Sequence, residues 1–276
     1  MKKRIINIIC VLAVIILAAG SAYYFLRDDS TENGTQTIIP MPQQTDPQQE
    51  QIAQLRTQIE QIKTELAGDE LRLINGENKL DKDFTPTMTE IPKNLMKSGV
   101  ENGTFDSRHI DKLISMLSDL NASEQGGGIV VVSAYRPYSL QEYYFNNSVK
   151  SYTDSGWSEQ AAREKVAKSV AVPGTSEHQY GMTADIADGT DLNNEVIFAK
   201  PFAGWLASNA HKYGFILRYP EDKTEITKIM FEPWHFRYVG EPHAAAIYES
   251  GMCLEEYIDE LNKQITDLET QIENLK

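Results

Sequence analysis

Apolar positions along the chain fall into three patterns. The first is continuous: from Ile5 to Leu26 there is no charge, and Asn7 and Ser21 are the clearly polar side chains. A run of this length crosses a bilayer as one helix. Lys2, Lys3 and Arg4 precede it and Arg27-Asp28-Asp29 follow, which places the N-terminus in the cytoplasm and the rest outside. The expectation is a single-pass signal anchor over 1–27. A cleaved signal peptide is the rival, since Ala18, Ala19, Gly20, Ser21 and Ala22 suit a signal peptidase. The run nevertheless exceeds the usual apolar core of about 7–15 residues. Either route exports the same domain to an extracytoplasmic position.

The second pattern has heptad spacing. Ile52, Leu55, Ile59, Ile62 and Leu66 recur at intervals of three and four, and Leu254, Ile258, Leu261, Ile265, Leu268, Ile272 and Leu275 do so to the C-terminus. Both predict coiled-coil helices, over 51–70 and 251–276. They could pair within one chain, dimerise, recruit a partner, or lie on the domain as solvated helices. Seven acids against two lysines over 251–276, and four acids against two bases over 51–70, give like-charge repulsion that opposes pairing. Between anchor and first seam, residues 28–50 are rich in Ser, Thr, Asn and Gln with Pro40, Pro42 and Pro47, a composition that predicts a disordered linker.

The third pattern, over 71–250, mixes short β-branched runs with helical ones. Strands are expected over Ile129–Ala134, Thr183–Ala187, Phe215–Tyr219 and Lys228–Val239, the last broken at Pro233. Helices are expected around Ile110–Leu120, Ser139–Val149, Ser158–Val170 and Phe202–Tyr213, with Gly214 stopping the last. The interleaving lacks a strict βαβ repeat. It predicts an α+β fold, an antiparallel sheet with flanking helices.

Composition narrows the chemistry. Forty acidic against 26 basic residues give a net charge of -14, which disfavours nucleic acid as a partner. The two cysteines, Cys10 and Cys253, supply neither a disulfide framework nor a thiolate metal site, so any metal must use His and carboxylates.

Two of the five histidines lie in dense neighbourhoods punctuated by Gly and Pro. One is Gly174-Thr175-Ser176-Glu177-His178-Gln179-Tyr180-Gly181-Met182-Thr183-Ala184-Asp185, the other Glu232-Pro233-Trp234-His235-Phe236-Arg237-Tyr238. His178, Asp185 and His235 supply the three protein ligands that a catalytic zinc needs, leaving one position for water. His178 and Asp185 are seven apart, which one unbroken strand would send to opposite faces; Gly181 permits the turn that brings them together. Glu232, three residues from His235 across Pro233, stands where a general base for the water would stand. A hydrogen-bonded structural histidine is the alternative at each position, and His109, His211 and His243 keep that reading.

With Ser133-Ala134-Tyr135-Arg136-Pro137 and Gln141, these segments resemble the VanY-type D-alanyl-D-alanine carboxypeptidases, zinc peptidases grouped with lysostaphin and the hedgehog signalling domain. The resemblance runs from about Leu71 to Tyr257. It implies a hedgehog/DD-peptidase-like fold, one zinc ion on His178, Asp185 and His235, and Glu232 as base. It also implies that Arg136 grips the free carboxylate of the substrate, with Gln141 and Ser176 hydrogen-bonding it. The implied substrate is the peptidoglycan stem peptide, losing its terminal D-alanine. L,D-carboxypeptidase action on tetrapeptide stems and a non-catalytic wall-binding scaffold are the alternatives. Trp234 and Tyr180 are equally consistent with pocket walls and core.

Overall fold

The computed structural model describes residues 46–276 apart from 101–102 and 190–193. The expected anchor over 1–27 lies outside the described residues, as does most of the expected linker over 28–50. Among the described residues no helix is long and apolar enough to cross a membrane. Residues Ile52–Lys276 form one compact unit.

In chain order the elements are α1 (Pro47–Leu66), β1 (Met88–Glu90), β2 (Thr104–Asp106), α2 (Ile110–Ala122), β3 (Val130–Ser133), α3 (Tyr138–Asp154), α4 (Glu159–Val166), α5 (Glu177–Tyr180) and β4 (Thr183–Ala187). Then follow α6 (Asn194–Phe198), α7 (Pro201–Asn209), β5 (Phe215–Leu217), α8 (Thr224–Thr227), β6 (His235–Tyr238), α9 (Glu241–Ser250) and α10 (Leu254–Asn274). The mixture of helices with antiparallel sheet is the expected class. β1 and β2 form a two-stranded sheet, and the main sheet runs β3-β4-β6-β5 with every neighbour antiparallel.

β4, at the centre, is buried along its whole length, and its alternation sorts chemistry from packing. Ala184 and Ile186 join the apolar core with Val131 and Phe236, against Leu113, Leu117 and Leu120 of α2 and Phe202 and Leu206 of α7. Thr183 and Asp185 point to the other face. The register sets Asp185 directly opposite His235 on one side and Ser133 on the other, so the three share that face.

Two expectations about elements are corrected, and one element had no counterpart among them. The linker expected to reach residue 50 gives way to helix at Pro47, because Asp46 accepts the Gln48 N–H through its carboxylate (3.0 Å) and proline is at home in a first helical turn. The strand expected from Lys228 is confined to His235–Tyr238, since Lys228 takes a left-handed conformation (φ 62°) at the end of α8 and the chain turns through Pro233 and Trp234 before pairing begins. The hairpin of β1 and β2 was not expected at all; its strands are three residues each, too short for periodicity to register.

The two heptad stretches meet each other. Ile52, Leu55 and Ile59 of α1 pack with Ile265, Leu268, Ile272 and Leu275 of α10. Ile62 joins a second cluster with Leu71, Ile216, Tyr257 and Leu261, which ties the helix pair to the sheet. The two acidic helices also pair Lys63 with Glu269 at 4.0 Å.

Candidate metal centre and active-site cleft

His178 sits in α5, a single helical turn. Gly181 ends that turn at φ 86° and lets the chain double back into β4. Its ring is fixed at the rear: Nδ1 donates to the Ala134 carbonyl at 2.7 Å, which leaves the Nε2 lone pair aimed forward, 3.3 Å from Asp185 Oδ2. The Arg136 N–H donates to the His178 carbonyl, so the segment carrying Arg136 is pinned to the same turn.

Asp185 Oδ1 lies 3.1 Å from His235 Nδ1. Ligand atoms of His178, Asp185 and His235 all fall within 4.8 Å of one another. Yet Asp185 Oδ1 is buried without an aligned hydrogen bond. Two imidazole nitrogens and a carboxylate, converging and incompletely satisfied by each other, fit a tetrahedral metal such as zinc.

Electrostatics separates the acids of the site. Burial alone would raise the Asp185 carboxyl, but His178 and His235 outweigh it and hold it far below the usual carboxylate range. Glu232, with Oε2 3.4 Å from His235 Nδ1, is pushed up to about 7, chiefly by burial, with His235 opposing and the Asp185 charge adding. One acid is thus kept as a permanent anion and the other is poised to exchange a proton.

These residues line a cleft of about 400 Å³ with Arg136, Tyr144, Asn147, Ser176, Tyr219 and Trp234. Arg136 donates to Gln141 Oε1 and Ser133 Oγ, both at 2.8 Å, and lies 5.4 Å from the Tyr144 ring. Among the described residues no carboxylate pairs with it. Gln141 corrects the expectation of substrate contact: it is fully buried, its Oε1 is taken by Arg136, and its Nε2 donates to the Ala171 carbonyl. It holds Arg136 in place and does not face the cleft. Of the two aromatic residues left open, Trp234 lines the cleft. Tyr180 belongs to the core, stacked on Phe84 with its hydroxyl on the Asp69 carbonyl.

A family model described as VanY: D-alanyl-D-alanine carboxypeptidase matches residues 104–241. A D-alanyl-D-alanine carboxypeptidase of Enterococcus faecalis is 37% identical over 200 residues, covering 70% of this chain and 68% of that one. The chain belongs to the VanY family. Among solved structures, a VanY D,D-pentapeptidase from a VanB-type vancomycin-resistance cassette, in complex with Zn(II), is 36% identical with a TM-score of 0.57, covering 69% of this chain and 99% of that one. LdcB, an LD-carboxypeptidase, is 34% identical with a TM-score of 0.58, covering 68% of this chain and 84% of that one.

The VanY site contains a residue that sequence reasoning passed over. Glu177 is completely buried, and its Oε1 accepts from Arg218 Nε at 2.7 Å and Arg237 Nη1 at 3.1 Å. Burial would raise this carboxyl; the two guanidinium charges outweigh it and hold it well below the usual range. The available signal was Arg237 in the same short strand as His235, a buried cation that demands a buried acid. His109, His211 and His243 stay apart from the site, engaging Tyr238, Tyr248 and Tyr257.

Proposed function

We propose that this VanY protein is a zinc carboxypeptidase that removes the terminal D-alanine from peptidoglycan stem peptides. The carrying observation is Arg136: a guanidinium without a carboxylate partner among the described residues, anchored by Gln141 and Ser133, in the same cleft as His178, Asp185, His235 and Glu232. A guanidinium held this way accepts a terminal carboxylate through two parallel hydrogen bonds and so measures the distance from chain end to scissile bond.

His178, Asp185 and His235 would hold the zinc, which when bound would supply a Lewis acid for the amide carbonyl and the attacking water. Glu232 takes the proton of that water and returns it to the departing amine. Arg136 orients the leaving residue, Gln141 and Ser133 fix Arg136, and Ser176 hydrogen-bonds the peptide. Trp234 and Tyr219 limit water at the reacting centre.

Hydrolysis of the L,D linkage in tetrapeptide stems is the second reading, favoured by the likeness to LdcB. The purified, zinc-loaded full chain, given stem pentapeptide and tetrapeptide and read by mass spectrometry, separates the two. Loss of one alanine from the pentapeptide alone supports D,D specificity, and loss from the tetrapeptide supports L,D. Cleavage of neither, with zinc bound, overturns the carboxypeptidase reading in favour of an endopeptidase of cross-links or a wall-binding scaffold.

The proposed arrangement is an anchor over 1–27, a linker, and the catalytic domain over 71–250, flanked by coiled-coil segments over 51–70 and 251–276 and facing away from the cytoplasm. It is supported by the three leading cations before an uncharged run. Protease added to intact cells should remove the domain; protection until lysis would overturn that orientation.

A further inference from the structure

Resting on the metal reading above, we infer that Glu177 is a positioning residue for His235, and that Glu255 at the start of α10 sets it through Arg218. Docking of the C-terminal helix and metal binding then reinforce one another.

His235 presents Nδ1 to Asp185, which turns Nε2 to the opposite side, where Glu177 Oε2 stands 3.6 Å away. Both atoms are buried, and neither has a hydrogen-bond partner. A carboxylate behind a ligand histidine fixes the ring's orientation and tautomer and raises its basicity as a ligand. Glu177 is adjacent in sequence to another ligand, His178, so its own position is set by the same turn that positions the metal group.

Charge explains why Glu177 alone would not suffice. Its carboxylate meets two buried guanidinium groups, Arg218 and Arg237, and the three together carry one excess positive charge beside a site for a divalent cation. Glu255 cancels that excess. Its Oε2 and Oε1 accept from Arg218 Nη1 and Nη2 at 2.8 and 2.6 Å, a two-pronged pair that leaves the four-residue cluster neutral. Arg237 is seated independently, donating to the carbonyls of Glu70, Arg72 and Tyr238. Arg218 has no such backbone seat among the described residues, so removing Glu255 leaves a fully buried guanidinium with Glu177 as its one remaining carboxylate there, beside the Tyr219 ring at 4.9 Å.

Glu255 lies outside the stretch of 104–241 matched by the family model. The C-terminal helix is therefore part of the metal site's support as well as of the packing around it. Thermodynamic coupling runs both ways, so zinc must tighten α10 as much as α10 tightens zinc.

The adjacent Glu256 provides the matched control. It accepts the Cys253 N–H and an ammonium hydrogen from Lys223 in the same helical turn and has no contact with the arginine pair. Zinc affinity of the full chain is read by competition with a chromogenic chelator, beside melting of the zinc-free protein. Glu177→Gln should weaken zinc binding about 10- to 100-fold. Glu255→Gln should weaken it about 3- to 10-fold with partial rescue by Glu255→Asp, a smaller coupling carried through one intervening residue. Glu256→Gln should lower the melting temperature without moving zinc affinity. Zinc should slow hydrogen exchange in α10 of the wild type and leave it unchanged in Glu255→Gln. Unchanged zinc affinity in Glu255→Gln overturns the inference, as does an equal loss in Glu256→Gln, which would make the effect one of folding. A wild-type chain that takes up no zinc overturns the metal reading and this one with it.

Discussion

Glu232 and Arg136 carry separable parts of the reaction, and substitution should separate them. Glu232→Gln keeps the shape of the cleft and leaves His178, Asp185 and His235 untouched, so zinc content should stay at one per chain while kcat falls about 10²- to 10⁴-fold. Near wild-type turnover would remove Glu232 from the role of base. Arg136→Met should raise KM for peptides with a free C-terminus by about 10- to 100-fold, the worth of a charge-assisted pair. It should leave the weak binding of amidated peptides nearly unchanged, and equal losses for both would contradict the measuring role. His178, Asp185, His235 and Glu232 were legible in the sequence through residue type and turn-forming neighbours within each segment together with the family resemblance; the pairing of β4 with β6 is what joins the two segments. Glu177 was not, since its partners lie 41 and 60 residues away and nothing local announces them. Gln141 was legible in place but not in role, because only the fold shows that both ends of its amide are already used.

Among the elements, the turn at Gly181 decides whether His178 and Asp185 meet. A Cβ there would lie 2.9 Å from Met88 Sδ and from Pro86 Cγ, on a backbone that side chains rarely adopt. Gly181→Ala should cost about 1–3 kcal/mol in thermal or denaturant unfolding. It should also reduce zinc occupancy in the folded fraction, and full occupancy at wild-type stability would contradict the constraint. The helix ends respond to acid. The Arg108 hydrogen bond lowers the Asp69 carboxyl, and the Cys253 N–H and Lys223 outweigh burial to lower that of Glu256. A carboxyl lowered in the folded state contributes stability that is complete above its unfolded value near 4 and is lost as pH falls through the folded one. Protection of α10 amides, relative to their intrinsic exchange at each pH, should therefore fall between pH 5 and pH 3 as Glu256 is protonated, values bracketing the ordinary carboxyl range. Unaltered protection at the lower pH would exclude these contacts as fasteners. Central strands such as Thr183–Ala187 could be read directly from the sequence, whereas Lys228–Trp234, apolar enough to look like strand, is diverted by one left-handed residue and a proline.

For the molecule as a whole, the packing of α1 on α10 favours pairing within the chain among the arrangements that periodicity left open. Among the described residues Ile52, Leu55 and Ile59 pack against Ile265, Leu268 and Ile272 of the same chain, which predicts that these stripes do not serve a second copy. Light scattering of the purified chain should give the mass of a monomer, plus detergent where used, and twice the protein mass would show the stripes exchanged between chains. Like-charge repulsion argued against this pairing. It is outweighed because the charges sit on solvated faces while the stripes bury their side chains.

That pairing also sets an order of events. Synthesis proceeds from the N-terminus, so α1 emerges more than 180 residues before the α10 stripe that covers it. Until then its apolar stripe is exposed, and a chain that stops early never hides it. A product that stops before Leu254 should therefore keep the α1 stripe uncovered and open to protease.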